Sequence, residues 1–255
     1  MIHETAIIDP RARLGANVEV GPYTIIGPDV YIGDDTIIGP HVVIKGPTQI
    51  GRQNRIFQFA SIGEDCQDKK YAGEPTELII GDHNVFRECV TIHRGTIQDN
   101  SLTSIGSHNL FMAYVHVAHD CVIGDHNIFA NAVTLAGHVV VGNWVILGGF
   151  TGVHQFCHIG SHAFTAVSSV VVQDVPPYIM AQGHNAIPRT INSEGLKRRG
   201  FSADQIMNLR RAYKTLYRSG LTVAEASAQL RAMNAEEVEP LVEFIESSSR
   251  GIIRP

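Results

Sequence analysis

Stepping through the chain six residues at a time from Ile2 gives Ile2, Ile8, Leu14, Val20, Ile26, Ile32, Ile38, Ile44, Ile50, Ile56 and Ile62, an aliphatic side chain at every stop. The residue after the stop is glycine at seven of these eleven places. Four residues after the stop come mostly small or β-branched side chains: Ala6, Ala12, Val18, Thr24, Val30, Thr36, Val42, Thr48 and Ala60, with Asn54 among them. An α-helix cannot use this period, because six steps of about 100° turn the marked residue away from its own face. Short strands joined by bends can. Three such units close a triangular coil of 18 residues, and coils stack as parallel strands about 4.8 Å apart. Each aliphatic then points inward onto its equivalent one coil later, and the glycines are expected to relax the backbone at the corners.

A second run holds the period in a phase shifted by one: Ile105, Phe111, Val117, Ile123, Phe129, Leu135, Val141, Leu147, Val153, Ile159, Thr165 and Val171, with only Thr165 departing. Ile80, Phe86 and Ile92 keep the first phase between the runs. Residues 64–79 fill one coil's length without the spacing, and residues 93–104 change the phase, so part of that stretch must be extruded as a loop. Loops thrown out of a rigid scaffold are common places for function.

The repeat stops near Val172, and "QDVPPYIMAQGHNAIPRT" reads as a linker. Helical signals follow. Ser202 with Gln205 forms a capping box ahead of Ile206, Leu209, Tyr213 and Leu216 on one face, Thr222 with Glu225 caps a second helix, and residues 236–247 give a third. The expected fold is therefore mainly β: a parallel β-helix of hexapeptide repeats over residues 1–185, then a small C-terminal α-helical domain over 186–255. The pattern does not set the hand of the coil.

Hydrophobic content of 44% and charged content of 18% suit a soluble globular chain, and a net charge of −5 argues against general nucleic-acid binding. No apolar run approaches the roughly 18–20 residues that span a bilayer, and "MIHETAIIDP" has neither the basic nor the apolar region of an export signal. Cys66, Cys89, Cys121 and Cys157 are far apart and form no C-x-x-C pair, which points to a reducing, cytoplasmic setting without disulfides or a zinc knuckle.

Counting by 18 also sorts the polar residues. His119, Gly137 and Gln155 share one column, Asp120 and His138 the neighbouring one, and His154 precedes Gln155. Together with His116 they fall on three adjacent coils near one edge. This converging set favours a site over a solvated corner, whereas His83, His108 and His126, in "DHN" and "SHN" contexts, read as turn residues. His108, His126, Trp144 and His162 form a further column. Cys121 and Cys157 occupy the small inward station as core filler. A catalytic zinc needs three converging ligands. His116, His119, His138 and His154 could supply them, but His119 and His138 sit on different stations and Asp120 stacks on His138, so no metal is expected. Residues 197–218 carry a net charge of +6, with Arg210, Lys214 and Arg218 four apart on one face, either a solvated face or a platform for phosphates or an acidic partner.

Beyond the generic hexapeptide, specific strings resemble a known family: "FQFASIGED" (57–65), "QDKKYAGEPTE" (67–77), "VTIHRGT" (90–96), "HVAHDC" (116–121), "TLAGHV" (134–139), "VHQFC" (153–157), "QDVPPY" (173–178) and "EGLKRRGFS" (194–202). They resemble the acyl-carrier-protein-dependent UDP-N-acetylglucosamine O-acyltransferases of lipid A biosynthesis, over nearly the whole chain. The resemblance implies a left-handed coil, a cytoplasmic homotrimer with active sites between subunits, and two substrates, UDP-N-acetylglucosamine and the phosphopantetheine thioester of an acyl carrier protein, with no cofactor. It implies that His119 is the general base toward the sugar 3-hydroxyl, Asp120 its orienting partner and the Gly137 N–H the oxyanion donor. Asp68, Lys70, His116, His138, His154 and Gln155 are implied sugar and acyl contacts, and Asn192, Glu194, Arg198 and Arg199 nucleotide-end contacts. Val167 stands where members taking longer chains carry glycine, which implies a shorter hydroxyacyl group. The chemistry suits the residues: an imidazole can take a hydroxyl proton near neutral pH and return it to the leaving thiol. No Cys or Ser stands beside His119 in its column, so direct transfer is expected rather than a covalent enzyme intermediate.

Three other assignments compete with this one. N-acyltransferases of the same pathway carry an additional N-terminal uridine-binding domain, whereas here the repeat begins at Ile2. The strings at 67–77 and 194–202 argue against an acetyl-CoA-dependent hexapeptide transferase. A β-helical zinc hydratase is the reading from a different class, and stoichiometric zinc would mark it.

Overall fold

A computed structural model describes all 255 residues. Strands of two to four residues recur from Ile7–Ile8 to Val170–Val171. They sort into three parallel sheets, each taking every third strand, so each coil contributes one strand to every side of a triangular prism. The coil winds left-handed. The register confirms the count of 18: Ile26 pairs with Ile44, Ile44 with Ile62, and Ile105 with Ile123. Both aliphatic stations point inward. Ile32, Ile44, Ile50 and Ile62 are fully buried, as are Thr24, Thr36 and Val42 at the second station.

Two coils break the spacing, each in its own way. Ile50 pairs with Ile80, thirty residues on, so the coil carries twelve extra residues between the strands Ser61–Glu64 and Glu77–Ile80. Twelve is two hexapeptides, so the phase survives. The stretch 64–79 is thus an excursion thrown out of a coil rather than a coil lacking the pattern. Ile80 pairs with Ile105, twenty-five residues on. The seven extra residues lie between the strands Thr91–His93 and Leu102–Ile105 and produce the one-residue shift.

Of the seven glycines only Gly63 has a positive φ, 76°, so the others do something other than relax corners. The left-handed backbone falls three residues after most of the inward aliphatics and is occupied there by non-glycine residues, among them Asn17, Asp29, His83, His108, Asp120, His126 and His138, with φ between 56° and 62°. Asn, Asp and His enter this region more readily than most residues. The glycine directly after the aliphatic answers a different need: a Cβ on Gly33 would lie 2.6 Å from the Gly51 carbonyl carbon and 2.7 Å from the Arg52 nitrogen. Adjacent coils meet there backbone to backbone. Gly33→Ala is therefore expected to destabilise the coil by about 1–3 kcal/mol, as overpacking does, measured as a lower Tm.

Beyond the coils, the segment expected to be a linker is structured. Ile179–Gly183 pairs in parallel with Phe164–Thr165 and then antiparallel with Ala186–Ile191, so a β-hairpin closes the end of the prism. The 185/186 division falls at its turn. Its apolar positions Ile179, Ala181, Ala186 and Ile191 are buried, which a solvated linker would not provide. Four helices follow: α1 (Ser193–Arg198), α2 (Ala203–Arg218), α3 (Val223–Arg231) and α4 (Glu239–Ser247). Both expected capping boxes form, Ser202 with Gln205 and Thr222 with Glu225. Ile206, Leu209, Tyr213 and Leu216 bury one face of α2. No helix is long and apolar enough to cross a membrane.

Candidate active site

The strand His116–Val117 pairs with Thr134–Leu135, which puts residues 119 and 137 at the same point of neighbouring coils. A Cβ on Gly137 would sit 2.5 Å from Cε1 and 2.7 Å from Nε2 of His119, so the imidazole packs directly on the bare α-carbon. The Gly137 N–H meets no backbone acceptor. His119 Nδ1 donates to Asp120 Oδ2 at 2.8 Å, and both side chains are nearly buried. With Nδ1 spent on a carboxylate, Nε2 is the ring atom left to exchange a proton.

Asp120 is held from the loop at 93–104. Thr96 donates to it twice, from its backbone nitrogen to Oδ1 at 2.9 Å and from its hydroxyl to Oδ2 at 2.6 Å. The Asp120 N–H donates to the Thr103 hydroxyl at 2.8 Å. Burial pushes the Asp120 carboxyl up, but the hydrogen bonds from His119 and Thr96 outweigh it and hold the group below its ordinary range. His138 stands edge-on to His119, donates from Nδ1 to Asp99 at 2.9 Å and brings Nε2 within 3.8 Å of Asp120.

Of these residues, His119 and Gly137 line a cleft of about 560 Å³, with Asp120 and His138 behind its wall. Gln67, Asp68 and Lys69 reach in from the excursion, His93 from one coil, His116 and His119 from the next, and Thr134 to Gly137 with Gln155 from the two after that. The excursion is pinned by Arg94, whose buried guanidinium donates to the Gly63 carbonyl, Asp65 and the Tyr71 hydroxyl. Of the residues the sequence singled out, Asp68, His116, His119, Gly137 and Gln155 line this cleft together. Lys70 does not; its neighbour Lys69 does. His154 lies apart, with Arg250 donating to its Nδ1 at 2.9 Å.

The others gather at the far end of the prism. Asn192 caps α1 and, with Glu194, lines a second cleft of about 370 Å³ beside Phe164 and Met180. Arg199 lies over the Trp144 ring, 5.2 Å from its centre, while Arg198 ends α1 and Val167 is two-thirds exposed. Arg210, Lys214 and Arg218 line a third cleft with Tyr213. His83, His108, His126 and Trp144 stack ring on ring along one corner, with centroids 4.0–4.8 Å apart. Cys121 and Cys157 are fully buried, and burial pushes their thiols up to about 12 and about 11, away from nucleophilic use.

Among the cleft residues that the sequence did not single out, one is a histidine. His93 is 4% exposed, stands edge-on to His116 with ring centres 5.0 Å apart, and leaves its buried Nδ1 without a partner. Burial, then the neighbouring His116, lowers it to about 4. His162 is likewise lowered to about 4 by burial and by Arg199. Both folded values lie below the ordinary value of 6.5. The unfolded chain therefore takes up these protons first, and their contribution is complete above about pH 6.5 and lost as pH falls toward 4. Each is worth at most about 3 kcal/mol. Denaturant midpoints are expected to fall steeply between pH 6.5 and 4, and less steeply in His93→Gln.

One nitrogen each of His119 and His138 and one oxygen of Asp120 lie within 4.8 Å of one another. Both rings present a nitrogen to a carboxylate here, and Asp120 already accepts from Thr96, so the group is satisfied by hydrogen bonds alone.

Residues 174–253 match the family model described as UDP N-acetylglucosamine O-acyltransferase, domain 2, and residues 102–137 match that of the bacterial transferase hexapeptide. The chain is 59% identical to the acyl-[acyl-carrier-protein]–UDP-N-acetylglucosamine O-acyltransferase of Thiobacillus denitrificans, over 99% of both chains. It is 60% identical to the protein of the same name from a Janthinobacterium species, over 100% of this chain and 99% of that one. Among solved structures it superimposes on LpxA of Acinetobacter baumannii with a TM-score of 0.97 at 52% identity, covering 99% of each chain. The UDP-N-acetylglucosamine acyltransferase of Bacteroides fragilis gives a TM-score of 0.98 at 40% identity, with full coverage of both.

Proposed function

Because the chain belongs to the family of acyl-carrier-protein-dependent UDP-N-acetylglucosamine O-acyltransferases, we propose that it moves a 3-hydroxyacyl chain from acyl carrier protein to the sugar 3-hydroxyl by direct attack, with His119 as base. This is the acyltransferase step of lipid A biosynthesis, and we place it in the cytoplasm. The observation that carries the mechanism is the buried His119–Asp120 pair packed on the Gly137 backbone inside the cleft.

The steps follow from the atoms present. The sugar oxygen attacks the thioester carbonyl carbon while His119 Nε2 takes its proton. Asp120 favours the imidazolium that forms, through the hydrogen bond at Nδ1. The carbonyl oxygen gathers negative charge against the Gly137 N–H, a contribution of about 3 kcal/mol at such sites. The intermediate collapses, the C–S bond breaks, and Nε2–H protonates the leaving sulfur. The protein supplies no covalent nucleophile and no cofactor, and the buried thiols have no place in the sequence of bonds. Asp68, Lys69, Lys70, His116, His138, His154 and Gln155 are assigned to the sugar and acyl portions, and Asn192, Glu194, Arg198 and Arg199 to the nucleotide end.

We assign a homotrimer whose neighbouring subunit completes the cleft. Support comes from an exposed aromatic corner: Tyr23, His41 and Phe59 stack in sequence, and Tyr114 and Phe150 continue the exposure. Sedimentation should give three chains. The function itself is tested with purified protein, UDP-N-acetylglucosamine and a series of hydroxyacyl carrier proteins, and the expected product is an O-acyl ester. Val167 should favour a short chain, and Val167→Gly should move the preference to a longer one. Preference of the unaltered protein for the longest member would overturn the assignment of Val167.

A further inference from the structure

We infer that Thr96 is a positioning residue for the acyl transfer, one that acts on the base through Asp120 without touching substrate. This rests on the reading of His119 as the base.

The seven residues inserted between the strands Thr91–His93 and Leu102–Ile105 are not needed to build the prism. One of them, Thr96, nevertheless makes two hydrogen bonds to a single carboxylate, that of Asp120. Thr96 is 3% exposed and lines no part of the cleft. Its backbone nitrogen and hydroxyl each take a different oxygen of Asp120, at 2.9 and 2.6 Å. Two contacts to two oxygens fix the plane of the carboxylate, where one would leave it free to turn. That plane directs Oδ2 at His119 Nδ1.

Asp120 itself sits in the left-handed region, with φ 57°, and its own N–H is tied to Thr103. Backbone and carboxylate are thus clamped from the same inserted loop, at Thr96 and at Thr103 where the loop rejoins the coil. Orientation matters because Nε2 is free as a base only while Nδ1 keeps its proton on Asp120. A carboxylate turned away from Nδ1 would let the imidazole adopt the other tautomer, with Nε2 protonated and useless toward the sugar hydroxyl. The hydroxyl of Thr96 is the part that substitution can remove, since the backbone contact persists with any residue.

Thr96→Val keeps the shape and the backbone donor and deletes the hydroxyl. The expected result is a fall in kcat of about tenfold or more, with KM for the nucleotide sugar within about twofold. Thr96→Ser restores kcat to within about twofold of the original. Should Thr96→Val not assemble, Thr96→Cys carries the same test, because its thiol is a weak donor of similar size. Placed in a His119→Ala background, Thr96→Val should add no further loss, since the residue has nothing left to act through. A Thr96→Val enzyme with a lower Tm but unchanged kcat overturns the proposal, as does a full additional loss on top of His119→Ala. Near-normal activity of His119→Ala alone instead removes the base and leaves the two failures distinct.

Discussion

His119→Ala should lower kcat by about a hundredfold to ten-thousandfold, the range a positioned general base contributes, while the trimer forms and the nucleotide sugar still binds. The loss belongs in kcat because the imidazole acts on a proton that moves only in the transition state. The residues proposed for binding are spread over two clefts, one around Asp68 and Gln155 and one around Asn192 and Glu194. The coil should tolerate the change. His119 lies between two inward stations, and those residues, Val117 and Cys121, carry the packing there. Retention of near-normal turnover would show that another group takes the proton.

Gly137→Ala should be nearly as damaging for a different reason. The added methyl would fall 2.5 and 2.7 Å from two ring atoms of His119, closer than real Cβ contacts come. The ring is tied to Asp120 on one side and to its own backbone on the other, so it must tilt out of line. Misplacement of a catalytic group by about 1 Å can cost a hundredfold in rate, and a loss of that order is expected in kcat. Gly137 does not have a positive φ, so alanine meets no backbone penalty and the fold should persist with a similar Tm. The substitution also leaves the Gly137 N–H in place. A fully active Gly137→Ala would mean that the imidazole does not work from its position on that α-carbon.

The prism was legible from sequence because one side-chain pattern determines the register of every coil. Counting by 18 brought His119 onto Gly137 and Asp120 onto His138 without coordinates, since each pair lies in uninterrupted coils. The same count fails across an insertion. His93 is separated from the His116 coil by the seven inserted residues, so its place at the edge of His116 could not be counted. Thr96 lies within the insertion, where no period operates. The role of the glycines is not legible from sequence for a related reason. Periodicity says which residues recur at a corner but not which of them carries the left-handed backbone, and that falls to residues such as Asp120 and His138. The hairpin at Ile179–Ile191 escaped because its prolines, glycine and polar residues resemble a linker, while its order comes from pairing with Phe164–Thr165. Lys69 and Lys70 are adjacent on an excursion, and spacing alone could not choose between them.

The claim on which the rest depends is that one imidazole, His119, removes the proton from the sugar hydroxyl. The most direct measurement is kcat/KM for UDP-N-acetylglucosamine as a function of pH, in the unaltered enzyme and in His119→Ala, at saturating hydroxyacyl carrier protein. The account predicts an acidic limb of unit slope in the unaltered enzyme and its disappearance in the variant, whose residual rate loses that dependence. The same limb, at the same position and slope in both proteins, would contradict it.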